Sequence, residues 1–282
     1  MFAQLHHFLR GAPAPVPHTM TQRLELLHAP AEGPRARHPL LFLHGAFAGA
    51  WCWEPNFMPF FAERGFECYA LSVRGHAGSH GRERLNEFGI ADYVDDVATA
   101  VREIGAPPVL VAHSMGGFVA QKYLEREKVP GLVLLASAPP QGLLASQLQL
   151  AFGNPSLFAD LNSVLSRGRG STEGLRKALF ANDLPAEQLQ EFYRRSQRES
   201  QRALWDMTLF NLPIPWAMAK PPMLWLAGEK DALFKLDQMR IGAGLLGCRF
   251  EIVPGIGHAL MLDAGWEGVA ERIVEWIGAN VR

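Results

Sequence analysis

Two hydrophobic patterns alternate along this chain. Short, almost wholly apolar runs bounded by Gly or Pro are typical of strands buried on both faces of a parallel sheet. The runs that fit this description are Leu40–Leu43, Cys68–Leu71, Val109–Ala112, Leu132–Ala136, Met223–Ala227 and Phe250–Val253. A weaker alternation over Gln22–Leu27 predicts an antiparallel strand at the sheet edge.

Between the runs, apolar residues recur at the 3.6-residue helical period. The two clearest sets are Ile90, Val94, Val97, Val101 and Ile104, and Leu262, Val269, Ile273 and Ile277. Strands alternating with helices predict an α/β fold, a mostly parallel, doubly wound sheet with helices on both faces.

The alternation stops between Pro139 and Pro222, where no strand-like run occurs. A structureless loop of that length is uncommon in a compact domain, so this region is predicted to be a helical cap insertion over residues 139–219. The core then comprises residues 20–138 and 220–282, after an extension at 1–19. The alternative is an ordinary set of helices that cover the sheet. The helix-like pieces include Leu157–Leu165, Leu175–Phe180, Pro185–Arg195 and Glu199–Phe210.

Composition narrows the classes of function. The 282 residues are 48% hydrophobic, enough for a large core, and the formal net charge of −1 favours neither nucleic acid nor an anionic membrane as a partner. The three cysteines show no metal or disulfide spacing and predict free thiols in a reducing, cytoplasmic location. We expect no transmembrane segment, no secretory signal, and no metal or other cofactor. The protein is expected to be a monomer or a homodimer. The Ala- and Pro-rich stretch 11–17 predicts a linker and leaves Met20 as an alternative start to Met1.

Ser114 occupies the most informative position in the chain. It follows the strand Val109–Ala112 and precedes Met115, Gly116 and Gly117, which open a helical stretch. A tight strand-to-helix turn exposes a hydroxyl and aims the next backbone N–H at the same point. A serine there becomes a nucleophile only if a base lies beside it.

Four segments in one order resemble the α/β-hydrolase family. They are His44-Gly45-Ala46-Phe47, the turn at Ser114, Gly228-Glu229-Lys230-Asp231, and Gly255-Ile256-Gly257-His258, each after a predicted strand. The resemblance implies that Ser114 is the nucleophile, His258 the general base and Asp231 the acid that orients it. It also implies an oxyanion hole made by the N–H of Met115 and that of Ala46, with Phe47 a neighbouring candidate. The chain departs from the family turn, Gly-x-Ser-x-Gly, in having Ala112 at the first glycine.

Other residues in these loops have alternative interpretations. Glu229 and Asp206 are rivals of Asp231 for the role of acid, and Asp263 is expected to be a helix-start charge. His44, His76 and His113 are expected to be structural. The aromatic residues Trp51, Trp53, Phe57 and Phe60 are expected in the core or against the cap. Trp205, Phe210, Trp216 and Met218 are expected to contribute to an apolar acyl pocket.

The leading hypothesis is a serine hydrolase that cleaves a carboxylic ester through an acyl-enzyme. A small-molecule acyl substrate, such as a small or medium lipophilic ester, lactone, thioester or monoacylglycerol-like molecule, suits an apolar cap. Carbon–carbon bond hydrolases share the triad. The segment 44–53 also resembles hydroxynitrile lyases, which carry a lysine where Ala259 stands. Haloalkane dehalogenases and epoxide hydrolases have an aspartate at the position of Ser114. A non-catalytic, ligand-binding member of the fold is the third class.

Overall fold

The computed structural model of the protein describes residues 23–167 and 172–282. The predicted N-terminal extension, its linker and Met20 lie outside these residues. Over the described ranges, seven strands form one sheet in the order β1-β3-β2-β4-β5-β6-β7. The strands are β1 (Glu25–Ala29), β2 (Leu40–Leu43), β3 (Cys68–Ser72), β4 (Val109–His113), β5 (Leu132–Leu135), β6 (Met223–Gly228) and β7 (Arg249–Val253).

Only β1 runs antiparallel to its neighbour, β3, and the other neighbouring strands are parallel. The predicted doubly wound sheet is therefore confirmed. An antiparallel edge strand is present, but it covers Glu25–Ala29 and not the predicted Gln22–Leu27, of which Gln22 lies outside the described residues. Every residue of β2, β4, β5 and β6 is buried, which explains why their sequences are continuously apolar.

Ten α-helices accompany the sheet in the described ranges. They are α1 (Phe57–Ala62), α2 (Ile90–Ile104), α3 (Met115–Tyr123), α4 (Leu144–Gly153), α5 (Pro155–Arg167), α6 (Thr172–Leu179), α7 (Ala186–Arg195), α8 (Gln201–Trp205), α9 (Leu236–Leu246) and α10 (Trp266–Asn280). Two buried apolar clusters, one on each face of the sheet, form the core. The predicted core aromatic residues Trp51, Trp53, Phe57 and Phe60 belong to one of them. None of the helices described is long and apolar enough to cross a bilayer.

The chain between β5 and β6 contains α4 to α8 and, as far as it is described, no strand. The division into core and cap stays a prediction. Two helix predictions were wrong in detail. Leu262 precedes α10, because the chain turns at Gly265, which has a φ of 91°. Glu199 precedes α8, because Ser200 caps that helix by accepting the Ala203 N–H.

The order of strands creates a crevice. From β2 the chain goes outward to β3 and then returns to β4 on the other side of β2, so that Leu43 lies beside Ala112. In open α/β sheets, sites form where the strand order reverses, outside the carboxyl ends of the strands. The loops after β2 and β4 meet at this point.

Candidate active site

Ser114 lies on a sharp turn between β4 and α3. Its φ of 51° and ψ of −115° are sparsely populated for a residue with a side chain, so the surrounding structure must hold them. Helix α3 starts so close to β2 that a Cβ on Gly116 would lie 2.6 Å from the carbonyl oxygens of Leu43 and His44. Only glycine fits there. Ala112 is fully buried, so the alanine that replaces the usual first glycine is accommodated in the core.

A hydrogen-bond chain joins the three residues predicted as nucleophile, base and acid. His258 Nε2 lies 3.0 Å from Ser114 Oγ, and His258 Nδ1 lies 2.8 Å from Asp231 Oδ2. The other oxygen of Asp231 accepts the N–H groups of Leu233 and Phe234 at 2.8 and 2.9 Å. An Nδ1–H donated to Asp231 leaves Nε2 free to accept a proton from the serine.

The two rival acids lie elsewhere. Glu229 accepts the N–H of Gly255 at 2.8 Å, and Asp206 accepts the N–H of Ile90 at 2.9 Å. Neither is hydrogen-bonded to His258. Asp231 is therefore the one of the three predicted candidates that the fold brings to the imidazole.

Asp263 differs from its expected role as a charge at a helix start. It lies three residues before α10, is fully buried, and accepts the N–H of Gly257 at 2.7 Å and that of Ala181 at 2.8 Å. It also accepts the N–H of Asn182 at 3.3 Å. The carboxylate thus ties the loop that carries His258 to the chain between α6 and α7.

The loop after β2 packs directly against Ser114. A Cβ on Gly45 would lie 3.1 Å from Ser114 Cβ. Within the described ranges, the N–H groups of Ala46 and Met115 have no hydrogen-bond acceptor, and both residues line the cavity at Ser114. The N–H of Phe47 instead donates to Glu199 Oε2 at 3.1 Å. Of the two predicted candidates in this loop, Ala46 is the one whose N–H is available.

His44 and His113 brace these loops. His44 Nδ1–H donates to the carbonyl of Gly45 at 2.7 Å, and its Nε2 accepts the N–H of Val73 at 3.2 Å. Burial, with the charge of His76 nearby, lowers the pKa of His44 to about 3. His113 Nε2–H donates to the backbone carbonyl of His258 at 3.0 Å, and burial lowers its pKa. Both rings are therefore neutral and stabilise the loops through hydrogen bonds to the backbone.

Glu199 belongs to this site although no sequence motif marks it; it is 1% exposed and lies in the chain between α7 and α8. Its carboxylate pairs with His76 Nε2 at 2.9 Å. Burial opposes the charge on each group, but the partner's opposite charge outweighs it, raising the pKa of His76 and lowering that of Glu199. The only sequence signal was a carboxylate in a run of polar residues, which is more typical of a solvated face.

A cavity of about 970 Å³, including its opening to solvent, lies at Ser114. Its described lining contains no Asp, Glu, Lys or Arg. Most of the apolar lining comes from the helices between β5 and β6, from neighbouring loops and from the loop after β2. These residues are Ala46, Phe47, Ala48, Leu143, Leu150, Phe158, Leu161, Leu165, Leu179, Phe192, Leu204, Met207, Leu233, Phe234, Ala259 and Met261.

The pocket residues expected from the sequence were wrong. Trp205, Phe210 and Trp216 are 57%, 73% and 88% exposed, and Met218 is buried in the core. None of the four lines the cavity. Other Leu, Met and Phe side chains of the same region take that place, because Trp205, Phe210 and Trp216 face solvent.

Among the residues that the structure describes, no group of three His, Cys, Asp or Glu side chains is arranged to hold a metal ion. Cys52, Cys68 and Cys248 are free thiols. The chemistry that the described residues offer at the cavity is that of a hydroxyl, an imidazole and a carboxylate in series, with two unpaired backbone N–H groups beside the hydroxyl.

Comparisons with known proteins agree with this fold. The family model described as "Alpha/beta hydrolase family" matches residues 40–272. This match covers most of the chain, which therefore belongs to the alpha/beta hydrolase family, and the fold predicted from the sequence is confirmed.

Individual relatives differ in activity. The chain is 27% identical over 263 residues to epoxide hydrolase 3 of Xenopus tropicalis, covering 84% of this chain and 70% of that protein. An esterase from Exiguobacterium antarcticum has a similar structure, with a TM-score of 0.70, 18% identity, and coverage of 90% and 95% of the two chains. A monoacylglycerol lipase from Paleococcus ferrophilus has a TM-score of 0.67 and 21% identity, with coverage of 90% of this chain and 98% of that chain. At these identities, the structural likeness establishes the fold alone.

Proposed function

We propose that this protein is a serine hydrolase that cleaves neutral, lipophilic carboxylic esters through an acyl-enzyme on Ser114. His258 is the general base, Asp231 orients it, and the N–H groups of Ala46 and Met115 form the oxyanion hole. The observation that carries the proposal is the continuous chain of hydrogen bonds from Asp231 through His258 to Ser114. The chain ends in a cavity with an uncharged described lining.

The reaction follows from this geometry. His258 Nε2 takes the proton of Ser114 as Oγ attacks the ester carbonyl, and the oxyanion that forms accepts the two free N–H groups. The imidazolium, stabilised by Asp231, gives that proton to the departing alcohol, which leaves an acyl group on Ser114. Water then attacks the acyl carbon by the same steps, and the carboxylic acid is released.

The cavity supports a neutral acyl group. Apart from Ser114, its hydroxyl and amide side chains are Ser146, Gln147 and Asn162, and each is already hydrogen-bonded within the protein. Ser146 donates to Gln238, Gln147 to the hydroxyl of Thr208 at 3.1 Å, and Asn162 to the carbonyl of Phe158 at 2.9 Å. Because the described lining offers no charged partner, an acyl chain carrying a carboxylate or an ammonium group would be desolvated without compensation. Lipophilic esters, lactones, thioesters and monoacylglycerol-like molecules fit this requirement.

Epoxide hydrolysis, the activity named for one relative, is disfavoured by the nucleophile. Attack of a serine hydroxyl on an epoxide carbon would give an alkyl ether, which has no carbonyl for water to attack. The enzyme would stop after one turnover. The same hydroxyl on an ester carbonyl gives an acyl group that water can remove. Ala259, which lines the cavity beside His258, likewise offers no cation to hold a cyanide ion.

Labelling and kinetics of matched serine variants test the proposal. A fluorophosphonate should modify the wild-type protein at Ser114, and Ser114→Ala should abolish both labelling and hydrolysis of p-nitrophenyl butyrate, with a loss in kcat on the order of 10⁶. The control is Ser137→Ala, because Ser137 is buried behind the turn and bonded to Gln121. It should label and turn over like the wild type.

Retention of more than a tenth of the activity by Ser114→Ala would contradict the proposal. A series of p-nitrophenyl esters from acetyl to dodecanoyl then measures how much acyl chain the cavity accepts. Each series member should be compared with an ester of equal length that ends in a carboxylate. We expect the neutral ester of each pair to have the higher kcat/KM.

A further inference from the structure

The segment 196–200, which we name the strap, links α7 to α8 and crosses the loop after β2. It bonds to both backbone polar groups of Phe47. The N–H of Phe47 donates to Glu199 Oε2 at 3.1 Å, and the N–H of Gln197 donates to the Phe47 carbonyl at 3.0 Å. Phe47 has a φ of 55°, in the left-handed region that residues with side chains rarely adopt. The strap therefore stabilises a backbone conformation that is unfavourable by itself.

The carboxylate of Glu199 is the centre of a buried network. Besides the Phe47 N–H, it accepts hydrogen bonds from His76 Nε2 at 2.9 Å, the hydroxyl of Tyr93 at 3.0 Å and the N–H of Ser200 at 2.7 Å. Such a network fixes the position of each member, because moving one leaves a buried charge or donor unpaired. Glu199 does not line the cavity at Ser114, so it has no direct contact with substrate there.

We propose that Glu199 is a positioning residue for the oxyanion hole, an inference that rests on the proposed function. By holding the Phe47 N–H, the carboxylate turns that donor away from the cavity and fixes the peptide that follows Ala46. The Ala46 N–H is then left aimed at the space beside Ser114. Glu199 thus selects which of two neighbouring N–H groups meets the oxyanion, although it never touches the reacting atoms.

Two substitutions at Glu199 test this role. Glu199→Gln keeps the size of the side chain and removes the charge, whereas Glu199→Asp keeps the charge and shortens the reach toward the Phe47 N–H. Loss of one oxyanion donor lowers turnover by about 10²–10³. We expect kcat to fall by about 10² in Glu199→Gln and by at least about 10-fold in Glu199→Asp, with KM within about threefold of wild type.

The readouts separate positioning from folding. All rates are divided by the concentration of active sites, titrated to completion with a fluorophosphonate, so that unfolded protein does not count. A trifluoromethyl ketone, whose adduct with Ser114 carries an oxyanion, should bind more weakly by the same factor as kcat/KM falls. A non-reactive amide of the same shape should bind as it does to wild type, because it forms no oxyanion.

Asp96→Asn is the matched control. Asp96 is also a buried carboxylate paired with a cation, at 2.6 Å from Arg74, but it has no contact with the loop after β2. Asp96→Asn should lower the free energy of unfolding and leave kcat per active site within about threefold of wild type.

The outcomes are distinct. A kcat per active site within threefold of wild type in either Glu199 variant would overturn the positioning role, while the loss in Ser114→Ala would leave the proposed function standing. If Glu199→Gln does not fold, Glu199→Asp decides by the same criterion. If Glu199→Asp does not fold either, Tyr93→Phe decides, because it removes one of the hydrogen bonds that hold the carboxylate in place. A parallel loss in kcat per active site and in ketone binding supports the role, and unchanged values of both contradict it. Activity in Ser114→Ala would remove the proposed function itself.

Discussion

The two free N–H groups beside Ser114 are held by different means. The N–H of Met115 is the first of α3, so its direction follows from the turn after β4 and from the helix that begins at Met115. The N–H of Ala46 belongs to the loop after β2. The next residue, Phe47, is bonded to Glu199, which lies 152 positions further along the chain. One donor is a product of local geometry and the other of tertiary structure.

This difference has a consequence for how the site responds to change. A substitution remote from β4 leaves the Met115 donor in place as long as the sheet is folded. By the positioning role proposed for Glu199, the Ala46 donor depends in addition on a buried ion pair and on the strap. We therefore expect the two halves of the proposed oxyanion hole to be lost under different substitutions.

The largest expected effect is on kcat, and it comes from the loop after β6 that carries Asp231. Asp231→Asn should lower kcat by about 10⁴, because an amide holds the imidazole in the wrong tautomer. Glu229→Gln, on the same loop but bonded to Gly255, should change kcat by less than threefold. Steady-state kinetics on p-nitrophenyl butyrate measure both. An equal loss in the two variants would show that the loop, and not the carboxylate at His258, matters.

The buried ion pair gives a pH-dependent test of the other half. His76→Gln removes one partner and should lower the free energy of unfolding by about 3–5 kcal/mol near pH 6. Because the folded-state pKa of His76 is raised, its contribution is full below the ordinary imidazole pKa of about 6.5 and is lost as pH rises through the folded value. The groups facing His76 are Glu199, His44, Tyr93 and Arg82.

Urea unfolding of wild type and His76→Gln between pH 5 and 9 measures this trend. The difference in the free energy of unfolding between wild type and His76→Gln should become smaller as pH rises. His44→Gln provides a control of opposite sign. The lowered pKa of His44 means that its contribution is present above about pH 6.5 and declines as pH falls toward 3. Two differences that change in the same direction would contradict the assignment of charge to His76.

A smaller effect separates the strap's stability from its chemistry. The side chain of Gln197 donates to the carbonyl of Gly75 at 2.9 Å and accepts the N–H of Ala77 at 3.1 Å, while its backbone bond to Phe47 needs no side chain. Gln197→Ala should lower the free energy of unfolding by about 1–3 kcal/mol. Its kcat should stay within threefold of wild type, in contrast to Glu199→Gln. Urea titration and initial rates on the same preparation measure both quantities.

The smallest expected effect is on stability and concerns the turn that carries Ser114 and Met115. Ala112→Gly restores the usual first glycine of the turn. Because Ala112 is fully buried and accommodated, the glycine should leave kcat unchanged and lower the free energy of unfolding by about 0.5–1 kcal/mol through the entropy of the unfolded chain. A clear gain in kcat would show that the alanine strains the turn at Ser114.

The sequence was sufficient for those parts of the molecule that depend on neighbouring residues. Apolar runs predicted the strands, and the turn at Ser114 predicted the edge of the sheet at which Asp231 and His258 meet. The roles of Glu199 and Asp263 could not be predicted, because only the folded chain brings their partners to them. For Glu199 these are His76, Tyr93 and the N–H of Phe47. For Asp263 they are the N–H groups of Gly257 and Ala181. The cavity lining was mispredicted for a related reason. Which face of a helix turns inward is set by docking, and Trp205 and Phe210 turned outward.

Asp263 sets a design rule for exchanging parts between members of this family. Its one carboxylate binds both Gly257, beside the imidazole, and Ala181, in the chain that follows α6. A chimera with helices from another family member, built to change substrate preference, should therefore keep residues 181–182 and the strap from this protein. Its junctions should lie between β5 and residue 181. Replacing α4 alone would exchange the lining residues Gln147 and Leu150 while the contacts of Asp263 and of the strap remain.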